Sequence, residues 1–264
     1  MSRACGDCVE CAPDAGLRKL GLDVAKVDYV VALAGNPNTG KSTVFNALTG
    51  LRQHTGNWPG KTVTRAEGAF SFQGRNYKIV DLPGTYSLLA RSVDEEVARD
   101  FILFGKPDVT LVVADATRLE RNLNLVLQVL EITDRVVVCV NLMDEARRHG
   151  ITVDHERLAK DLGVPVVPTA ARQREGLPEL VATLDAVATG RVVCRPYRTP
   201  TNNDRAHRAL AELTGAVQRA FPQLPNARWV ALRLLDGDDR MIQAVKSGEL
   251  ARLYAGNGEG GQNA

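Results

Sequence analysis

Gly35, Asn36, Pro37, Asn38, Thr39, Gly40, Lys41 and Ser42 carry the strongest chemical pattern in the chain, G-x-x-x-x-G-K-[ST], with Thr43 following. Glycine lets such a loop curl so that its backbone N–H groups point inward at phosphate oxygens. The N-terminus of a following helix adds partial positive charge. In this arrangement Lys41 reaches the β- and γ-phosphates and the Ser42 hydroxyl ligates Mg²⁺. The flanks are those the motif requires: an apolar, strand-like run over 28–34 and a helical pattern over 41–49.

Three further signals lie downstream. Asp81-Leu-Pro-Gly84 closes the next apolar run, 40 residues after Lys41. An aspartate at a strand's C-terminal end lies where α/β sheets bind ligands. There it would hold Mg²⁺ through a water, while the Gly84 N–H senses a γ-phosphate. Asn141-Leu-Met-Asp144 follows the run 135–140. A carboxylate at 144 can accept from both N1–H and N2–H of guanine, a donor pair that adenine lacks, so the wrong base leaves it unpaired. Thr169-Ala170-Ala171 follows the last predicted strand, and the Ala170 N–H could meet guanine O6. Between the loop and Asp81 lies the polar segment 54–62, with an exposed-looking Trp58 whose alternative reading is a packing residue on the sheet edge. It reads as a switch loop, ordered by γ-phosphate and Mg²⁺ and released after hydrolysis. Thr62 is the predicted second hydroxyl on Mg²⁺, with Thr55 as competitor.

The elements that must position these residues alternate. Strand-like runs at 28–34, 76–80, 109–114, 135–140 and 164–167 are separated by helical patterns at 41–49, 94–104, 119–133, 154–162 and 177–188. Asp154 suits an N-cap and Gly163 a helix stop. The alternation predicts right-handed crossovers and a mostly parallel sheet covered on both faces. Residues 63–73 are predicted as one antiparallel edge strand, paired with 76–80. After Gly190 the character changes: 195–204 suits a linker, and 206–220, 229–235 and 239–255 look helical. The fold class is therefore α/β, a P-loop NTPase G domain followed by a small all-α domain. The predicted divisions are a Cys-containing N-terminal extension (1–27), a GTP-binding G domain (28–190), a helical domain (191–255) and a flexible tail (256–264).

Composition excludes several other classes. The chain has 264 residues, 33 basic against 31 acidic, with no basic stripe to make nucleic acid a partner. No apolar run approaches the ~18 residues of a bilayer span, and the N-terminus lacks a secretory signal, so this chain itself is expected to be soluble. Five cysteines form no even framework, which points to a reducing cytosol. Cys5, Cys8 and Cys11 could hold zinc or part of an iron–sulfur cluster, though a fourth ligand is missing locally; the competing reading is a tail with free thiols. Cys139 reads as a packed core residue.

The chain resembles the N-terminal cytosolic part of the FeoB ferrous iron transporter family. The residues that carry the likeness are 35–43, Gly56-Asn57-Trp58-Pro59-Gly60 with Thr62, Asp81–Leu88, 98–100, 115–123 and Asn141–Asp144. The resemblance implies a helical domain after the G domain, then a transmembrane permease part of the same full-length protein. It places this chain on the cytoplasmic face of the bacterial inner membrane. Other implied partners are small regulatory Feo proteins and further copies of the chain. It further implies GTP hydrolysis with Mg²⁺ and K⁺, the latter held by Asn38 and the backbone carbonyls of 56–60, where it would stabilise developing transition-state charge. Thr85 stands where Ras-like proteins carry a water-orienting Gln, and no general base is visible. Lys61 departs from the apolar residue common before Thr62. The resulting expectation is a GTP-binding, GTP-hydrolysing regulator of Fe²⁺ uptake. The alternatives are a soluble K⁺-dependent GTPase of ribosome assembly or tRNA modification, and a nucleotide-binding switch without significant turnover. The helical part is expected to dock on the G domain and tune GDP release.

Overall fold

In the computed structural model, the residues described are 15–25, 27–50, 53–89, 92–198, 203–222, 224, 226–248 and 250. Cys5, Cys8, Cys11 and the predicted tail lie outside them. The centre is β1 (Tyr29–Gly35), a run of β-branched and small apolar residues buried on both faces. It pairs in parallel with β4 (Arg75–Asp81) and with β5 (Val109–Asp115), so that Leu33 faces Asp81 on one side and Leu111 on the other. β6 (Val136–Asn141) and β7 (Val166–Pro168) extend the parallel part. β3 (Thr64–Phe72) runs antiparallel to β4, and β2 (Gln53–Asn57) antiparallel to β3, giving the order β2-β3-β4-β1-β5-β6-β7.

Alternate strand residues feed two cores, as the period of two dictates. Val31, Leu33, Ile79 and Leu111 pack with α2 (Lys41–Thr49) and α7 (Leu177–Ala188) on one face. Val30, Ala32, Ala34 and Val112 pack on the other face with α3 (Val93–Asp100) and α4 (Leu119–Ile132). Two shorter helices complete the sheet's cover, α5 (Met143–Arg148) and α6 (His155–Leu162). Asp154 caps α6 by accepting from the Arg157 N–H at 2.9 Å, and Gly163 ends it at φ 69°.

Several expectations are corrected. The predicted edge strand is interior, because β2 covers β3; the segment predicted as an open switch loop is partly this new edge. Trp58, exposed-looking in the sequence, is instead the packing residue of the alternative reading: it is buried, its ring edge-on to Phe101 at 5.3 Å. After α3 the chain continues as a π-helical turn, Phe101–Gly105, all of it buried. A short α1 (Ala15–Lys19) precedes the sheet, and Leu17, Leu22 and Val24 join the core below α3, so this core begins before residue 28.

The C-terminal part is helical: α8 (Asp204–Ala220), α9 (Ala227–Leu235) and α10 (Asp239–Lys246). The helix α10 ends at Lys246, followed by Gly248 at φ 71°, so the single helix predicted over 239–255 is interrupted there; residues 251–255 lie outside the described residues. Leu210, Val217, Trp229, Val230 and Met241 are continuous with the α3–α4 core. No helix among the described residues is long and apolar enough to cross a membrane.

Candidate functional site

The predicted phosphate loop leaves β1 at Gly35 and enters α2 at Lys41. Gly35 and Gly40 are required by close approach. A Cβ on Gly35 would lie 2.8 Å from the Val113 carbonyl oxygen, and one on Gly40 would lie 2.4 Å from Asn141 Nδ2. Gly40 also has φ 79°, and Asn38 at the loop's apex has φ 66°, the left-handed region that asparagine tolerates. The Thr39 hydroxyl donates to the Asn36 carbonyl at 2.9 Å, closing the loop on itself. Both polar atoms of the buried Asn36 side chain lack a partner among the described residues. The N-terminus of α2 has neither a capping side chain nor an acidic residue in its first turn, and Ser42 and Thr43 there are exposed. Its N–H groups therefore remain open to an anion.

β4 delivers Asp81 beside the loop. The Lys41 ammonium contacts the Asp81 carboxylate and donates to the Leu82 carbonyl at 2.7 Å. Burial pushes the Asp81 carboxyl above its ordinary range, and Lys41 opposes that rise. Gly84 lies against Pro37, with a built Cβ at 3.6 Å, and the Thr85 N–H donates to the Gly35 carbonyl at 3.3 Å. The Asp81–Gly84 segment thus packs on the loop. Ser42 and Asp81, two of the three predicted Mg²⁺ ligands, flank Lys41 on neighbouring elements. These donors suit a hard cation next to phosphate.

β6 and β7 supply the base side. Asn141 Nδ2 donates to the Thr39 carbonyl at 3.0 Å, while its Oδ1 accepts from the Ala171 N–H and the Thr169 hydroxyl, both at 3.1 Å. One buried amide therefore ties the phosphate loop to the turn after β7. Asp144, on α5, accepts from Gln173 Nε2 at 3.3 Å and pairs with Arg148 at 3.7 Å. The Ala170 N–H donates to the Glu175 carbonyl at 3.1 Å, closing that turn. Gln173 escaped the sequence reading, since no pattern marks an amide two residues past Ala171 as a partner of Asp144.

The segment 56–62 is not gathered with the rest. Gly56 and Asn57 belong to β2, three strand spacings from β1, or ~14 Å across the sheet. The turn through Pro59 and Gly60 is closed by Trp58 N–H to Val63 carbonyl at 2.9 Å and Lys61 N–H to Trp58 carbonyl at 3.0 Å. Thr62 is exposed on this hairpin, as is Thr55 on β2. Among the described residues no hydrogen bond joins Asn38 to the 56–60 segment. Glu96, on α3, was also missed: its carboxylate accepts from Lys61 at 3.0 Å and from Arg240 at 2.7 Å. A contact spanning 144 residues leaves no local sequence signal. Among the described residues no cluster of three His, Cys, Asp or Glu could hold a metal by itself.

The family model described as ferrous iron transport protein B matches residues 29–184. A Fe(2+) transport protein A/Fe(2+) transporter FeoB fusion protein from Porphyromonas gingivalis is 41% identical over 219 residues, 81% of this chain and 26% of that protein. The cytosolic domain of the T. maritima FeoB iron transporter in a GDP form is 36% identical, with a TM-score of 0.75, covering 88% of this chain and 89% of that one. Its GMPPNP form gives 0.74 at 36% identity, covering 88% of each. The chain spans about a quarter of the length of the curated relatives it matches.

Proposed function

The chain belongs to the ferrous iron transport protein B family as its N-terminal G domain, and from that premise we propose that it binds GTP, hydrolyses it to GDP and phosphate, and regulates Fe²⁺ movement through a membrane part of a longer protein. The observation that carries the nucleotide reading is Asn141, whose amide bonds to Thr39 in the phosphate loop and to Ala171 in the turn beside Asp144. In this reading a phosphate site and a purine site lie side by side at the C-terminal ends of β1, β4 and β6. GDP and GMPPNP forms of the T. maritima relative support the same ligand class.

In this reading the N–H groups of 38–43 cradle the phosphates, with Lys41 exchanging Asp81 and Leu82 for β- and γ-oxygens. The Asp144 carboxylate exchanges Gln173 for guanine N1–H and N2–H, with the Ala170 and Ala171 segment beside O6. Ser42, Asp81 and Thr62 would hold Mg²⁺, which when bound neutralises charge developing on the transferred phosphoryl group. Thr62 must travel with its hairpin to take part, which suits a switch that is ordered only by nucleotide. In this reading water attacks the γ-phosphate in line, and the Gly84 N–H senses that group. Potassium stimulation, from Asn38 and the 56–60 carbonyls, needs the same hairpin movement. The membrane permease part, small regulatory Feo proteins, self-association and a place on the cytoplasmic face of the inner membrane are the corresponding partner and location proposals.

Phosphate release under multiple turnover, with GTP and Mg²⁺ in KCl or NaCl, tests the reading. We expect turnover that is faster in KCl, and loss of both turnover and guanine-nucleotide retention in Lys41→Ala. Undiminished retention in that variant, or ATP competing as well as GTP, would overturn it. Retention without phosphate release in either salt would favour a binding switch.

A further inference from the structure

The Asn141 carboxamide has a support that reaches one residue deeper than the cleft. Its Nδ2 faces the Thr39 carbonyl, an acceptor, so Oδ1 is the atom facing the Ala171 N–H and the Thr169 hydroxyl. A carboxamide oxygen has no proton to give, so the single Thr169 hydroxyl proton goes to Asn141. The Cys139 sulfur lies 3.0 Å from that same hydroxyl oxygen. With the hydroxyl proton already committed, the thiol S–H must be the donor. The bonds then run in one direction, from Cys139 to Thr169 to Asn141 to the Thr39 carbonyl. All of these side chains are buried, Cys139 completely. Cys139 and Asn141 are two apart on β6 and so project from one face, and Thr169 follows directly on β7.

We propose that Cys139 is a positioning residue for guanine-nucleotide retention, acting through Thr169 on Asn141 and hence on the phosphate loop. The inference rests on the guanine-nucleotide reading above. It gives a role to a cysteine that composition alone assigns to packing. Burial pushes the thiol up to about 12 against the opposing effect of Thr169, so the S–H remains a donor across the neutral range. Without it, the hydroxyl oxygen loses its donor and Thr169 is free to rotate away from Asn141.

The test is the rate at which a fluorescent GDP analogue leaves the full chain when chased with excess GDP. Cys139→Val keeps bulk and removes the donor, and should speed release about fivefold, equal to ~1 kcal/mol and one neutral hydrogen bond. Cys139→Ser restores a donor and should fall within about twofold of the parent rate. In a Thr169→Val background, Cys139→Val should add nothing, because its effect is routed through that hydroxyl. A general packing defect would instead lower thermal stability in both backgrounds and would not be rescued by serine. Parental release by Cys139→Val, a full effect persisting in Thr169→Val, or serine behaving like valine would each overturn the proposal. If the parent chain itself does not retain the analogue, the guanine reading fails and takes this one with it. Parental retention with unchanged variants removes this inference alone.

Discussion

Asp185 has no exposed side-chain surface and yet is held as a carboxylate. It accepts from Arg75 Nε at 2.7 Å and Nη2 at 2.9 Å, and from the Tyr77 hydroxyl and Arg191. Burial pushes its pKa upward, but the bonds from Arg75 and Tyr77 outweigh that and leave it below the ordinary range. Burial and Asp185 together raise Tyr77 to about 12. The cluster pins α7 to the start of β4, the strand whose other end carries Asp81. Asp185→Asn should lower unfolding stability at neutral pH by ~1–2 kcal/mol, since the buried side chain loses its charge-assisted bonds from the part-exposed Arg75 and Arg191. Because the folded pKa is depressed, the contribution is present above ~3.9, the unfolded value, and fades as pH falls through the lower folded one. Denaturant titrations of parent and variant should therefore converge in acid; a constant gap down to pH 2 would contradict this. Gly40 makes a second residue-scale case. Alanine there would meet Asn141 Nδ2 at 2.4 Å in a left-handed backbone, so Gly40→Ala should weaken GDP binding. The strain and the lost bond together imply roughly tenfold or more, measurable by calorimetry.

Between elements, Glu96 joins three pieces: the hairpin through Lys61, α3 on which it lies, and α10 through Arg240. Burial raises its pKa, and the bonds from Arg240 and Lys61 more than reverse this. Its contribution is thus present above the ordinary glutamate value of ~4.3 and is lost as pH falls through the lower folded one. Both cations are partly exposed, so the contribution to global stability is modest. Glu96→Gln should instead loosen the two tethered elements, raising hydrogen exchange at 58–61 and in α10 while β1 and β5 stay protected. Uniform exchange across the chain would count against it. The same elements show what the sequence makes legible. The helices at 41–49 and 177–188 follow from apolar periodicity, and the cap at Asp154 from its side chain. The parallel strands follow from continuous apolar runs, and the phosphate loop, Asp81, Asn141 and Asp144 from chemistry fixed by local spacing. β2 has no such signal, because Gln53-His-Thr-Gly-Asn57 is a polar edge whose strand state comes only from pairing with β3. Trp58 lies in a polar, Gly-rich stretch, and only the approach of Phe101 and Arg65 shows that it is buried.

Across the molecule, the helical part shares an apolar core with the sheet part and is also bonded to the C-terminal end of α4. There the carbonyls of Glu131 and Ile132 have no further helical partners. Asn226 Nδ2 donates to both at 2.8 Å, and Arg198 donates to the Glu131 carbonyl at 2.8 Å. Arg228 pairs with the Glu131 carboxylate at 2.5 Å, placing positive charge where the helix dipole favours it. Asn226 also caps α9, its Oδ1 accepting from the Trp229 N–H at 2.9 Å. Two functions in one side chain can be separated by substitution. Asn226→Asp keeps the capping oxygen but loses both donors and sets a negative charge against two carbonyls and Glu131. Asn226→Ser likewise keeps a cap but adds no charge. If docking depends on these bonds, aspartate should be clearly more disruptive than serine, with faster hydrogen exchange in α8–α10 at unchanged protection in β1, β5 and β6. Equal behaviour of the two variants would mean that apolar burial, and not the α4 terminus, holds the halves together.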